Sequence, residues 1–503
     1  MTIEFPTEHI DLGTLEPPVA LGSLDGRYRR VVAPLVDWFS EAALNRARLF
    51  VEIEWLTWLT DNRVLEGAPI LSDARKAYLR GLVSEFGTEQ IATLAVTEAQ
   101  TKHDVKAVEY LLKQALEQAP REPADTTEEC ATTGTTGDKS TTTSTTDLTR
   151  LKEIVHIFCT SEDINNLAYA LLLKHGVQRV WLPAARALRD QIACLARETA
   201  EVPMLAHTHG QPATPTTLGH ELAVFAWRMN RQLRRVEAQE YLGKINGATG
   251  NFAAHTVAVP NADWPALSRG FVEERLGLTW NPLTTQIESH DYQVELYATV
   301  AHFNRIAHNL ATDCWTYISR GYFAQDLAAQ GSTGSSTMPH KINPIRFENA
   351  EANLEISCAL LGVLAETLVT TRMQRDLTDS TTQRNIGTAF GHSLLAIDNL
   401  RRGLAGLKVD VDVMARELDE NWEVLGEAVQ QCMRVAGIAG VPGMENPYER
   451  LKELTRGRRV DGAGLRDFVA GLGLPADVTA RLQALTPATY TGLAAQLLRY
   501  LED

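Results

Sequence analysis

Basic residues are in short supply. The 503-residue chain carries 48 Lys and Arg against 63 Asp and Glu, a formal net charge of −15. A nucleic-acid binder needs the opposite balance to replace phosphate counterions, so no nucleic-acid partner is expected. The deficit still permits a local basic pocket for a small anion. Cysteine is also scarce: Cys130, Cys159, Cys194, Cys314, Cys358 and Cys432 form no CxxC pair and no zinc spacing. Neither a disulfide framework nor a metal site is expected, and the thiols read as those of a reduced, cytoplasmic protein. Long hydrophobic runs are missing too. The most apolar stretch, around residues 358–369, is interrupted by Glu366 and falls short of the roughly 20 residues a membrane span needs. The opening MTIEFPTEHIDLGTLEPP is acidic and contains prolines, which fits a loose tail better than a signal or transit peptide. Strand patterns are sparse, with residues 249–259 suited to a hairpin or an extended loop.

Helical periodicity is abundant instead. Leu218, Leu222, Phe225, Met229, Leu233 and Val236 step by three or four, the spacing that puts side chains on one face of a helix. Leu296, Val300, Phe303, Ala307, Leu310, Cys314 and Ile318 do the same, as do Leu354, Cys358, Leu361, Ala365 and Leu368. Helices of this length reach roughly 40 Å at 1.5 Å per residue, too long for a short partner to cover, so they should pack lengthwise as a bundle. The expected fold class is all-α. Hydrophobic residues at 44% and charged residues at 22% suit a globular protein, and the length calls for more than one core.

Breaks in pattern divide the chain into a tail at 1–20, a helical domain at 21–117, an insertion at 118–149, a central long-helix domain at 150–400 and a helical C-terminal domain at 401–503. The insertion contains EPADTTEECATTGTTGDKSTTTSTTD. It cannot bury enough apolar surface to offset its ordering entropy and is expected to be a disordered surface loop.

Several polar clusters carry candidate chemistry. In GSSTMPHKINP, residues 334–344, Pro339 and Pro344 exclude a regular helix and leave hydroxyls, an amide and an ammonium on one loop between long helices. In HTHGQPATPT, residues 207–216, His209 sits on irregular backbone just before a helix that Thr216 or Thr217 can cap. Proton transfer by such a histidine needs reach and a pKa near the working pH, and no metal. TSED at 160–163 has the spacing of a capping box at an anion-friendly helix start. KHDVK at 102–106, DGRY at 25–28 and RDLTDSTTQR at 375–384 group cations with hydrogen-bonding side chains. Each alone suits a solvated face or a plain cap; jointly they suit a substrate with several negative charges, because arginine's fork matches phosphate and carboxylate oxygens.

GSSTMPHKINP resembles the signature of the fumarase/aspartase superfamily. With DGRY, HDVKAVEY, CTSEDINN, THGQPATP, GKINGATGN, TTQIESHDY, RDLTDST and PYERLKELTRGRRVD in this order, the chain from Asp25 to about Leu497 is similar to the bacterial purine-biosynthesis branch, the adenylosuccinate lyase family. The resemblance implies a three-domain protomer whose long helices join those of three others in a tetramer core, with active sites shared between subunits. It implies a cofactor-free C–N lyase that eliminates fumarate from small nucleotide substrates: adenylosuccinate, giving AMP, and succinyl-aminoimidazole carboxamide ribotide, giving AICAR.

By the same resemblance, Ser335 is the general base on a loop that closes, and His209 is the general acid protonating the departing nitrogen. Lys341 and Asn343 hold the charge that develops on the substrate carboxylate. Arg27, Tyr28, Arg375, Ser380, Thr381 and Arg384 are implied at the phosphate and ribose. Lys102, His103, Asp104, Thr160, Ser161 and Gln286 are implied at the succinyl part and the base. Ser336 and Asn349 belong to the same neighbourhood, with His156 behind it. Two positions depart from the family: Lys102 stands where Asn is usual, and His207 where Arg is usual. The compact family form also lacks the Thr-rich insertion. Another fumarate-releasing lyase of the superfamily, such as argininosuccinate lyase, would keep the Ser335 loop without needing a phosphate pocket. A catalytically silent structural paralogue would be expected to lose Ser335, His209 or Lys341, all of which are present.

Overall fold

A computed structural model describes residues 22–119, 148–326, 328, 338, 341–455 and 460–502. Ser335 and Ser336, the tail at 1–20 and all but the ends of the Thr-rich insertion lie outside the described residues. Among the described residues helices dominate, and strands occur as pairs of two or three residues. The all-α expectation holds.

The three periodic runs lie on the helices Leu218–Glu237, Asp291–Ser319 and Ile345–Leu368. In the first, the whole stripe from Leu218 to Val236 is buried. Thr217 begins it, its hydroxyl accepting from His220 N at 3.1 Å, which satisfies one of the amides that a helix start leaves unpaired. Residues 249–259 form neither a hairpin nor an extended loop. Ala253–Ala258 is a short helix, entered through Phe252 at a φ of 58°, with the Asn251 side chain accepting from Ala253 N at 3.2 Å. The alternation there marks no sheet face: Val257 is 84% exposed, and the buried side chain is His255, packed against Phe158 and Trp264.

The chain divides into two compact units, each drawn from three stretches. One takes residues 1–181, 238–298 and 359–391; the other takes 182–237, 299–358 and 392–503. The first unit is organised on the helix Glu41–Asp61, capped by Ser40 and buried along most of its length. Trp55 is fully buried, edge-on to Phe271, and its indole N–H donates to Ile157 O at 3.1 Å. Three charged residues of this helix, Arg48, Glu52 and Glu54, are also buried. Buried charges are tolerable when paired, and each of these has a partner. Glu54 takes a two-bonded contact from Arg80, and the other two reach the candidate site.

In the second unit, helices Leu182–Glu198 and Leu218–Glu237 pack at close range. Gly219 N donates to Thr199 O at 3.0 Å, and a Cβ at Gly219 would meet Ala200 Cα at 2.6 Å. Glycine is needed for that approach. Between the helices, Pro203–Met204 pairs with Thr216–Thr217, and His207–Thr208 pairs with Gln211–Pro212. The end of the chain adds a separate apolar cluster around Leu425, Val429, Met433 and Leu465.

Candidate active site

In the first unit, residues from the KHDVK, TSED and RDLTDSTTQR motifs join one polar network. Asp104 lies in the first turn of the helix Asp104–Gln118, whose N-cap His103 accepts from Lys106 N through Nδ1 at 3.2 Å. Its carboxylate receives Arg48 Nη2 at 2.7 Å and Arg384 Nη2 at 3.0 Å. Burial alone would raise the pKa of Asp104, but Arg48, the Val105 N–H and Arg384 outweigh it and hold the pKa below the usual value. Arg384 also donates through Nε to Glu41 at 2.8 Å and through Nη1 to Ser380 Oγ at 2.7 Å. From Arg48 the network continues to Asn165 Oδ1 at 2.8 Å, and from Asn165 to Glu162 at 2.8 Å. Glu162 pairs with Arg375 at 2.9 Å, and Arg375 Nη1 reaches Gln286 Oε1 at 3.5 Å. Burial pushes the pKa of Glu162 up despite the pull of Arg375 and Asn165.

The TSED corner is fixed by its own buried pair. Thr160 N donates to Asp163 at 2.8 Å, the reciprocal half of the expected capping box. The same carboxylate accepts from Asn246 N and Gly247 N and pairs with Lys244 at 2.9 Å. Asp163 and Lys244 are fully buried, so Thr160 and Ser161 start a helix that Asp163 ties to the GKINGATGN segment. Behind it, His156 is held at a φ of 62° with Nδ1 2.6 Å from Glu52 and Nε2 3.8 Å from Glu109. Burial would lower its pKa, but Glu52, Glu109 and Asp163 raise it on balance.

Other expected site residues of this unit are more open. The Arg27 guanidinium lies 5.7 Å from the Tyr28 ring centre. Lys102 is exposed and adopts a φ of 55° as the C-cap of the helix Thr88–Thr101, a left-handed conformation that Asn tolerates better than Lys. His103 and Thr381 are exposed.

His209, Lys341, Asn343 and Asn349 belong to the second unit. His209 and Gly210 form the two-residue turn of the His207–Thr208 and Gln211–Pro212 hairpin, with φ of 54° and 73°, the positive values such a turn requires. The His209 imidazole is exposed. Lys341 is exposed and Asn343 half-buried. The Asn349 carbonyl accepts from Asn353 Nδ2 at 2.8 Å. Among the described residues no group of three or more His, Cys, Asp or Glu side chains is placed to hold a metal, and no helix is long and apolar enough to cross a membrane.

Comparison with known proteins gives the family of the chain. A family model described as Lyase matches residues 26–357, and one described as Adenylosuccinate lyase C-terminal matches residues 371–491. Adenylosuccinate lyase of Escherichia coli strain K12 is 45% identical over 483 residues, 96% of this chain and 98% of that protein. The chain belongs to the adenylosuccinate lyase family. The Vibrio cholerae adenylosuccinate lyase is 44% identical over 478 residues, 95% of this chain and 98% of that one. The fold is also that of a fumarate lyase from Mesorhizobium sp. BNC1, with a TM-score of 0.69 at 17% identity, covering 93% of this chain and 96% of that chain.

Several residues that organise the candidate site of this family member were not singled out by the sequence: Glu41, Arg48 and Glu52 lie in no motif, and Glu109, Glu162 and Asn165 lie inside HDVKAVEY and CTSEDINN without marking themselves as partners. Arg48, Glu52 and Glu54 interrupt the otherwise apolar run ARLFVEIEWLTWL. A charge inside an apolar helix that has no polar face is a usable sign of a buried pair. The partners themselves lie 56 residues away for Arg48–Asp104 and 104 for Glu52–His156, beyond any local pattern.

Proposed function

We propose that this chain is a fumarate-releasing C–N lyase acting on adenylosuccinate, giving AMP, and on succinyl-aminoimidazole carboxamide ribotide. The observation that carries the reading is the segment 375–384, which holds Arg375, Ser380 and Arg384 in one network with Asp104. Two fixed guanidinium groups suit a phosphate-bearing substrate better than argininosuccinate, which has no phosphate. Both arginines already face carboxylates. Arg384 releases Glu41 more easily than Asp104, because the Glu41 side chain is 58% exposed and an exposed pair is worth little. Phosphate takes the place of Glu41 while Asp104 keeps the guanidinium oriented.

The chemistry is a β-elimination. A proton leaves the carbon beside a carboxylate, and its electron pair spreads into that carboxylate as a doubly charged intermediate. Donors already aimed at this charge lower the barrier most. In this reading Ser335 removes the proton, and Lys341 and Asn343 stabilise the charge. The electrons then form the carbon–carbon double bond of fumarate as the carbon–nitrogen bond breaks. His209 delivers a proton to the leaving nitrogen. Thr160, Ser161, Gln286, Lys102 and His103 line the succinyl and base positions, with Arg27, Tyr28, Ser380 and Thr381 toward the ribose phosphate; Ser336 follows Ser335 in the catalytic loop's sequence, and Asn349 acts in the same neighbourhood.

A homotetramer with shared sites fits the exposed apolar side chains on the long helices of the second unit. Val224, Trp227, Trp315 and Ile356 are 42%, 37%, 41% and 45% exposed, and association would bury them. The test of function is direct. Purified protein given adenylosuccinate should release AMP and fumarate in equal amounts and leave argininosuccinate untouched. Fumarate from argininosuccinate instead would overturn the assignment.

A further inference from the structure

We infer that Glu417 is a positioning residue for the imidazole of His209, gripping the hairpin that carries it through Arg320 and His207. The inference rests on the reading of His209 as general acid. A ladder of two residues per strand has little stiffness of its own, so the direction of an imidazole at its tip depends on what holds the legs. One leg carries His207, whose side chain is 15% exposed. Arg320 Nη2 stands 2.9 Å from His207 Nε2 and 2.8 Å from Glu417 Oε1. A guanidinium only donates, so Arg320 bridges the ring nitrogen and the carboxylate. Glu417 Oε1 itself lies 3.3 Å from the ring nitrogen, and its other oxygen accepts from the Tyr322 hydroxyl.

The supports are regular structure. Glu417 belongs to the helix Val411–Asp419, and Tyr322 immediately precedes the strand Phe323–Gln325, which pairs with Leu407–Val409. The chain leaving the other leg is tied independently two residues past Pro212, with Thr214 Oγ1 donating to Glu427 at 2.5 Å and Tyr490 OH donating to the same oxygen at 3.3 Å. Glu417 therefore holds one leg and Glu427 the segment that follows the other, and the turn between the legs has its backbone angles set by the hairpin. His207 is one of the two family departures. With a histidine there, the cation facing Glu417 comes from Arg320, and an arginine at 207 would bring its own.

The test compares H207A, H207R, E417Q, the H207A/E417Q and H207R/E417Q pairs and H209A in steady-state fumarate release from adenylosuccinate, with thermal unfolding as a check on folding. A small displacement of a reacting group costs one to two orders of magnitude in rate. H207A and E417Q should each lower kcat about tenfold with KM nearly unchanged, and H207A/E417Q should be no slower than either single variant. H207R should keep the wild-type kcat while Glu417 is intact, and H207R/E417Q should be as slow as E417Q alone. Wild-type kcat in H207A, or a loss in H207R as large as that in H207A, overturns the inference. Should E417Q not fold, Arg320→Gln interrupts the same bridge and should reproduce the H207A loss; wild-type kcat there overturns it equally. H209A separates the two claims. If H209A retains turnover, the general-acid reading fails; if H209A is dead while H207A and E417Q are fully active, the positioning role alone fails.

Discussion

Replacing Asp104 by Asn should destabilise the protein and remove part of its acid sensitivity. Arg48 is 1% exposed and keeps its charge whatever stands opposite, so losing the Asp104 carboxylate leaves a buried cation short of a counterion. Breaking a buried pair from one side costs about 3–5 kcal/mol. Here the Asp104 side chain is 25% exposed, and Asn45 and Asn165 still accept from Arg48 at 2.8 Å each, so about 2 kcal/mol is the reasonable loss. Chemical denaturation at neutral pH reads it. The sign with pH follows from the lowered pKa of Asp104: its stabilisation is present above the unfolded carboxylate value and is lost as pH falls through the folded one. D104N should therefore differ from wild type most at neutral pH and least in acid. Adding Arg48→Met to D104N should recover part of the loss, because the unpaired charge is gone. A D104N protein as stable as wild type at neutral pH, or a double variant worse than both singles combined, would refute the reasoning.

His156 shows the opposite pH behaviour. Its raised pKa means that its stabilisation is complete below the unfolded histidine value and is lost as pH rises through the folded one; His156→Gln should flatten stability between neutral and alkaline pH, measured by denaturation across that range. Gly219→Ala should cost about 1–3 kcal/mol, because the added carbon would meet the Ala200 backbone at 2.6 Å and force apart the helices Leu182–Glu198 and Leu218–Glu237; denaturant midpoints test it. Light scattering should give a particle of four chains, and Trp227→Glu should reduce that mass.

The helices were legible because burial repeats every three or four residues, as from Leu218 to Val236, and because caps such as Thr217 announce themselves by type. The run at 249–259 misled because alternation in small residues carries no packing information: Val257 points outward and His255 inward. The interleaving of the two units was not legible, since nothing local in the sequence says that residues 359–391 return to the first unit. At the candidate site, the motifs named Asp104, Ser380, Arg375 and Arg384, and these do meet in one network. The carboxylates that hold them could not be read out in advance. Arg48, Glu52 and Glu162 find their partners across the fold, and a single charged residue in an apolar helix does not say which distant group will neutralise it.

The most direct measurement is adenylosuccinate turnover by the purified wild type and by Ser335→Ala under identical conditions, with binding of the substrate followed alongside. The account predicts stoichiometric AMP and fumarate from the wild type, and from the variant a loss of turnover with binding largely retained. Substantial turnover without the Ser335 hydroxyl would contradict it.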